Sequence, residues 1–496
     1  MMSLDPRTPV IVGVGQQLQR IDNPLEALTP VAFIANAIRE ASKDAGLSAV
    51  PNVDSLRVIS FLSWRYRDPA RFIAAELGIT TAETVASSMG GNSTQSMVNA
   101  TALDIQSGTC DIVILCGGET SRTRKRARAA DIELPWPIVD EDVKPDRIMG
   151  EELVMNHEYE LSRRIVAPIQ IYPIFESAIR AQSGRTFDEH NQHLGKLWSN
   201  FSKVAEQNPY AWIRKSLTPQ EVITTGPHNR MIGAPYTKVM NSNNDVDQSA
   251  AIIMCSVATA QRLGISRDKW VFPIAGTDCH EHKYVSERDT FADTPAIKLG
   301  GKIVLDLAEA SIKDIDIIDL YSCFPSAVQL GAASLGLSTD QQLTRTGGLS
   351  FAGGPWNNYV MHAIATVVGE LRSRPGEKGL IWANGGYTTK HAFGVYSTNP
   401  PTSGFKHAYP QDQVDSLPRR TVVDVGRSQG PVTIEAYTVM HGREGNPERT
   451  IAACLLPGGE RAWGISDDSD VTTAMCTGEW VGRAAKLDGS GTLLVS

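Results

Sequence analysis

Cys323 is the first residue to weigh for covalent chemistry. It closes the run Asp319-Leu320-Tyr321-Ser322-Cys323-Phe324, and Tyr321 or the distant His362 could serve as its partner. A thiolate activated in this way holds acyl groups. Against that stands the ordinary fate of a free cysteine at the end of an apolar strand, which is to be packed and inert; this reading is favoured. Ser93 follows the glycine elbow Gly90-Gly91-Asn92. However, Gly91-Asn92-Ser93-Thr94-Gln95 has a glutamine where a hydrolase elbow needs its second glycine. Ser93 therefore reads as a helix N-cap, like Asn92. Cys279-His280-Glu281-His282 has the donor types of a metal site but no second pair at ligand spacing, so no metal is expected there.

The elements that would carry these residues occur twice. The first set runs from Gly90-Gly91 into an apolar helix to about Gln106, stops at Gly108, and continues as the strand Ile112 to Leu115 before Gly117-Gly118-Glu119. Met97, Val98, Ala100, Ala102, Leu103 and Ile105 cover more than one face, which predicts a helix buried nearly all round. The second set runs from Gly353-Gly354-Pro355 into a helix and ends at Trp382-Ala383-Asn384-Gly385-Gly386. Upstream, Thr29-Pro30 and Thr294-Pro295 each open a helix, to about Ala45 and Ala310. Strands follow at Leu56 to Ile59 and Ile315 to Leu320. Two similar α/β halves, each strand, helix, strand, buried helix, strand, are the prediction, with the two buried helices at the centre.

Residues 121–245 break the first half with helices around Tyr172 to Gln182 and Phe187 to Glu206, and Ser249 to Ser256 returns to it as a strand. A Pro/Gly/Ser cluster after Thr398 reads as a linker. Beyond it, short β-type runs at Thr421–Val425, Val432–Val439, Thr450–Leu455, Arg461–Ile465, Trp480–Ala485 and Thr492–Val495 predict a small antiparallel barrel or sandwich with little helix. Gly13-Val14-Gly15-Gln16-Gln17-Leu18 lacks the third glycine of a dinucleotide fingerprint, and no acidic residue closes a second strand at the usual distance.

The 496 residues imply about three domains. A net charge of −8 argues against a general nucleic-acid binder. No run of apolar residues is long enough for a membrane span, and no secretory signal opens the chain. Seven scattered cysteines suit buried free thiols in a reducing cytoplasm.

The duplicated halves, the insertion after the first Gly-Gly-Glu and the central helices resemble the thiolase superfamily over about residues 5–400. Asn208-Pro209-Tyr210-Ala211 resembles the family's loop domain, and Ala234-Pro235-Tyr236-Thr237-Lys238 followed by Asp247-Gln248-Ser249-Ala250-Ala251 resembles the return into the first half. Asp319 to Phe324 resembles the His-Asp-Cys-Phe motif of the sterol-carrier-protein type. The resemblance implies a catalytic cysteine at the first central helix, which falls at about Gly91. It implies a histidine at the second, which falls at Gly354. The Asn or His of the next motif falls at Tyr321, and the cysteine of Cys-x-Gly at Ala383. Claisen chemistry needs those groups as nucleophile, base and oxyanion donor, and none of the four positions carries one.

The expected architecture is a duplicated thiolase-type fold with a C-terminal β-barrel resembling oligonucleotide-binding barrels. Its parts are 1–120 with 246–266, an inserted loop domain 121–245, a second half 267–400, a linker 401–418 and the barrel 419–496. The expected function is a thiolase-like protein without thiolase activity that binds an acyl-CoA, acyl thioester or lipid intermediate. Its ligand would lie at Gly91, Asn92, Ser93, Cys323, Gly354, Trp356, Asn384 and Gly385, with Trp356 filling the vacated volume. Arg122, Arg124 and Arg126 would meet CoA phosphates or form a solvated face. The alternatives are an acyltransferase or carbon–carbon bond enzyme with chemistry moved to Cys323 or Tyr321, and a subunit that docks another acyl-CoA enzyme. No cofactor other than CoA as ligand is expected. The family implies a homodimer; a monomer is the alternative.

Overall fold

The computed structural model describes residues 4–80, 82–138 and 143–495. The first half begins with β1 (Pro9–Leu18), α1 (Pro30–Asp44), β2 (Ser55–Val58), α2 (Pro69–Leu77), β3 (Glu83–Ser87), α3 (Ser93–Ser107) and β4 (Ile112–Thr120). Local chemistry sets the ends. Thr29 caps α1 by accepting from Ala32 N–H, with Pro30 in the first turn. Gly108 ends α3 in the left-handed region at φ 85°. The chain then leaves through α4 (Ser121–Ala129), β5 (Arg147–Met149), α5 (Glu158–Ser162), α6 (Pro168–Ser183), α7 (Phe187–Gln207), α8 (Pro219–Ile223), β6 (Met231–Gly233) and β7 (Tyr236–Thr237). It returns as β8 (Asp247–Ser256) and α9 (Val257–Arg262). The sheet order is β1-β8-β4-β2-β3-β5, with β8 antiparallel to both β1 and β4.

The second half repeats the plan with β9 (Phe272–His280), α10 (Pro295–Leu307), β10 (Ile317–Leu320), α11 (Pro325–Leu335), α12 (Gly348–Phe351), α13 (Tyr359–Ser373), β11 (Lys378–Gly385) and β12 (Lys390–Ser397). Its order is β10-β11-β12-β9, again with the return strand β12 antiparallel to both neighbours. The repeat is imperfect. Among the described residues no strand equivalent to β3 pairs with β10; a bond from Leu320 N–H to the Leu343 carbonyl, 2.8 Å, marks its place.

The two central helices, α3 and α13, touch each other and both sheets. Apolar burial alone does not describe α3. Leu103 is exposed, whereas Gln95 and Asn99 are buried. Gln95 accepts from Tyr396 hydroxyl at 2.7 Å and donates to Asn99 Oδ1 at 2.9 Å. Asn99 donates to Asp278 at 2.9 Å. Glycines on the facing strands make room for them: a Cβ at Gly394 would lie 2.3 Å from Gln95, and one at Gly276 2.4 Å from Asn99. The halves are therefore joined by satisfied buried polar groups as well as by apolar area.

The segment expected as a linker has structure. Within it, β13 (Lys406–Ala408) adds to the edge of β9, and α14 (Gln411–Asp415) follows. The C-terminal part then forms β14 (Gly430–His441), β15 (Pro447–Leu455), β16 (Arg461–Ser466), α15 (Ser469–Thr477), β17 (Ala484–Leu487) and β18 (Leu493–Leu494). Its sheet is antiparallel in the order β16-β15-β14-β17-β18. One isolated bridge, Ile465 to Thr492, brings the two ends together without a ladder. Helix α15 was not expected, and the run from Trp480 becomes a strand only at Ala484.

This sheet is bonded to the inserted region. Met440 pairs with Gly233 of β6, Tyr437 N–H donates to Ser177 of α6 at 2.9 Å, and Arg180 of α6 makes a two-pronged pair with Glu479 at 2.9 Å on each prong. All seven cysteines are free. Among the described residues no helix is long and apolar enough to cross a membrane.

Candidate functional site

The entrances of α3 and α13 meet across the middle of the molecule through Asn357. Its side chain accepts from Gly90 N–H at 3.1 Å and donates to the Ser60 carbonyl at 2.7 Å, while its own carbonyl accepts from Thr94 hydroxyl at 3.2 Å. At the α3 entrance, Gly91 faces other residues directly. A Cβ there would stand 2.4 Å from the Tyr321 hydroxyl and 2.4 Å from the Asn384 carbonyl oxygen. Tyr321 N–H donates to the Trp382 carbonyl at 3.0 Å, and its ring meets Tyr359 edge-on at 5.5 Å. Burial holds the Tyr321 hydroxyl well above the usual phenol range, so it stays protonated.

Asn384 is held in turn by Tyr172 of α6, a residue the sequence reading did not pick out. Asn384 donates to Tyr172 oxygen at 3.0 Å; that hydroxyl donates to the Gly386 carbonyl at 3.0 Å and accepts from Thr388 N–H at 3.1 Å. No local pattern marks Tyr172, since it sits in an otherwise ordinary apolar helix stretch. Gly385 touches the same place: a Cβ there would lie 2.4 Å from Asn92 Oδ1. Ala383 lies fully buried in β11.

At the α13 entrance a Cβ on Gly354 would lie 2.8 Å from Asn244 Oδ1. Trp356 does not fill this volume. It is 41% exposed, on a residue whose backbone φ is 46°. Tyr321 and Asn384 fill the space beside Gly91 instead. Ser93 is not the N-cap; Asn92 holds that position with no side-chain cap bond, and Ser93 hydroxyl donates back to the Ser88 carbonyl at 2.9 Å.

Cys323 is buried 4.0 Å from Asn384 Nδ2, and burial pushes its thiol up to about 12. His362 is not its partner. It bonds Gln16 at 2.9 Å, and burial lowers it to about 3, so it is neutral. The Cys279 to His282 run disperses: Cys279 bonds the Ala296 carbonyl, Glu281 accepts from Ala296 N–H, and His282 bonds the Pro418 carbonyl. No group of three or more metal-ligating side chains converges among the described residues.

The basic run is split by the turn of α4. Arg126 pairs with Asp22 at 2.8 Å, and Arg122 stands over Trp212 at 5.7 Å. Arg124, Lys125 and Arg128 line a surface cleft of about 430 Å³ together with the exposed Trp356 and with Asn244. Asn244 thus links this cleft to the α13 entrance. Of the three arginines singled out from sequence, only Arg124 reaches it.

Two mixed sheets with antiparallel return strands, and a central pair of helices whose glycine entrances face one another, define a thiolase-type fold. A monomeric SCP2-thiolase-like protein type 1 from Mycobacterium smegmatis matches all of this chain over all of its own length, with 29% identity and a TM-score of 0.84. The family model of the thiolase-like protein type 1 additional C-terminal domain matches residues 410–492. The chain is a member of the thiolase superfamily, and its likeness within it is to thiolase-like protein type 1. Two more distant structures share the fold. They are an Ltp2-ChsH2(DUF35) aldolase (16% identity, TM-score 0.60, 79% of this chain and 98% of that one) and an acetyl-CoA acetyltransferase from Syntrophomonas wolfei (15%, 0.54, 79% and 99%). Comparison with curated proteins gives no match.

Proposed function

We propose that this protein binds an acyl-CoA, acyl thioester or lipid-derived intermediate on a thiolase scaffold and does not turn over thiolase substrates. The packing at Gly91 carries the reading. A nucleophile there would need room for a side chain, and Tyr321 and Asn384 stand 2.4 Å from its first atom. Relocated chemistry gains no support, since burial raises both Cys323 and Tyr321 out of the range in which they ionise near neutrality. The cleft beside α4 supports binding: Arg124, Arg128 and an exposed indole suit the phosphates and base of a CoA nucleotide, while Lys125 is paired with Asp245 of the same lining at 2.9 Å, and Asn244 of the lining also stands beside Gly354. A role as docking subunit through the C-terminal sheet is less favoured, because that sheet is already bonded to α6 of its own chain.

Thiolysis of acetoacetyl-CoA by CoA, followed by absorbance, tests the catalytic half. Turnover at about 1 s⁻¹ or faster would overturn it. Calorimetry with CoA tests the binding half; no heat at millimolar ligand removes it. A monomer is the expected solution state. The outer edge of β3 is occupied by β5, so the first sheet presents no free β3 edge to a second copy. Light scattering distinguishes this from a dimer.

A further inference from the structure

A cavity of about 220 Å³ lies beside the first turns of α3; Asn92 and Ser93 line it, whereas Gly91, Tyr321 and Gly354 do not, and it is separate from the α4 cleft. Met97, Ala100, Met149 and Leu153 give it apolar walls. Lys390, the first residue of β12, lines it next to the α3 entrance, with 5% of its surface exposed. Its ammonium bonds the Met89 carbonyl and makes no ion pair among the described residues. No carboxylate bonds it directly, although the charges of Glu152 and Glu151 favour its protonated form. Glu152 accepts from Met89 N–H at 2.7 Å, Asp278 is held by Asn99 and His407, and Glu151 is an exposed residue of the lining.

A buried ammonium with one neutral acceptor is costly, and buried charges are normally paired. The start of α3, with no side-chain cap, adds positive potential at the same end. A ligand carboxylate would supply a directly bonded counter-charge, and the wall of Met97, Ala100, Met149 and Leu153 suits a hydrocarbon tail, opposite a polar wall that includes Ser96, Asp278 and His391. We infer that this cavity binds a free short-chain carboxylic acid, its carboxylate on Lys390 and its tail against Met97, Ala100, Met149 and Leu153. The cavity borders the expected thioester site through Asn92 and Ser93, but the two readings are tested with different ligands, so either can fail alone.

Hexanoate and hexan-1-ol, titrated calorimetrically into the full chain, separate charge from hydrophobicity. Hexanoate is expected to bind about tenfold more tightly than the alcohol, and Lys390→Met to remove that preference. Ala100→Leu is expected to weaken both ligands by occupying the cavity. Equal binding of the two ligands to the wild type, unchanged hexanoate binding by Lys390→Met, or no hexanoate binding would overturn the inference. A measurement on the unaltered protein guards against a variant that does not fold. Reductive methylation with formaldehyde and cyanoborohydride, read by peptide mass spectrometry, should label Lys390 more slowly with saturating hexanoate; an unchanged rate would also overturn it.

Discussion

The Tyr321 hydroxyl occupies the space into which any side chain at Gly91 would grow, 2.4 Å from where its Cβ would begin. The position where the family resemblance leads one to expect a nucleophile is therefore walled by a residue of the other half of the chain, so a single substitution is not expected to reopen it. Gly91→Cys is expected to destabilise the protein by about 1–3 kcal/mol, the range for overpacking, and to leave thiolysis undetected. Gly91→Cys with Tyr321→Ala should recover part of that loss. Urea unfolding of both singles and the double gives the coupling; strict additivity would mean that the two residues do not compete for space.

The buried Cys323 thiol, raised to about 12, should be nearly inert. Iodoacetamide at pH 8 is expected to label it at least about a hundredfold more slowly than an exposed cysteine, and fully once denaturant opens the protein. Rapid native labelling would restore Cys323 as a nucleophile.

His362 predicts a pH dependence. Burial lowers it to about 3 in the folded chain, against about 6.5 when unfolded. Below about pH 6.5 only the unfolded chain takes up this proton, so the His362 contribution to stability falls as pH falls toward 3. Between pH 6.5 and 5 the loss is about 2 kcal/mol. The wild type should lose about that much relative to His362→Gln over the same range, read as the difference between the two profiles. Glu119 and Glu281 run the other way. Burial raises each to about 7, so they cost stability as pH rises from about 4.5 through 7.

The α4 cleft gives a binding prediction. Arg124→Ala with Arg128→Ala should weaken CoA about tenfold or more and reduce the salt dependence, while Trp356→Ala should weaken it about threefold to tenfold. Arg126, tied to Asp22, should matter little. Equal effects from Arg126 and Arg128 would point to general surface charge rather than this cleft.

The clamp between α6 and the C-terminal sheet should be structural. Arg180 is 3% exposed, pairs with Glu479 and lies over the Phe187 ring at 3.8 Å. Glu479→Gln is expected to cost about 1–2 kcal/mol, because it removes the counter-charge of a buried guanidinium although Glu479 itself is partly solvated. A loss near zero in thermal or urea unfolding would mean that solvent compensates the cation.

The amino-acid order by itself determined the duplication. Thr-Pro helix starts, paired glycines and apolar strands are local signals, so they can be read without a partner. The same locality reveals that Gly91, Gly354, Tyr321 and Ala383 carry no thiol or imidazole. Tertiary structure alone decided what surrounds them. Tyr321 lies 230 residues from Gly91 and Tyr172 comes from the insertion, and nothing in their neighbourhoods announces where they go. Trp356 shows the limit: beside Gly354 in sequence, it was expected inside, yet it is exposed to solvent. Lys390 looks like an ordinary first residue of a strand until the α3 entrance closes over it. Side-chain identity is written in the chain, but burial, pairing and free space are properties of residues far apart, set only when the two halves pack.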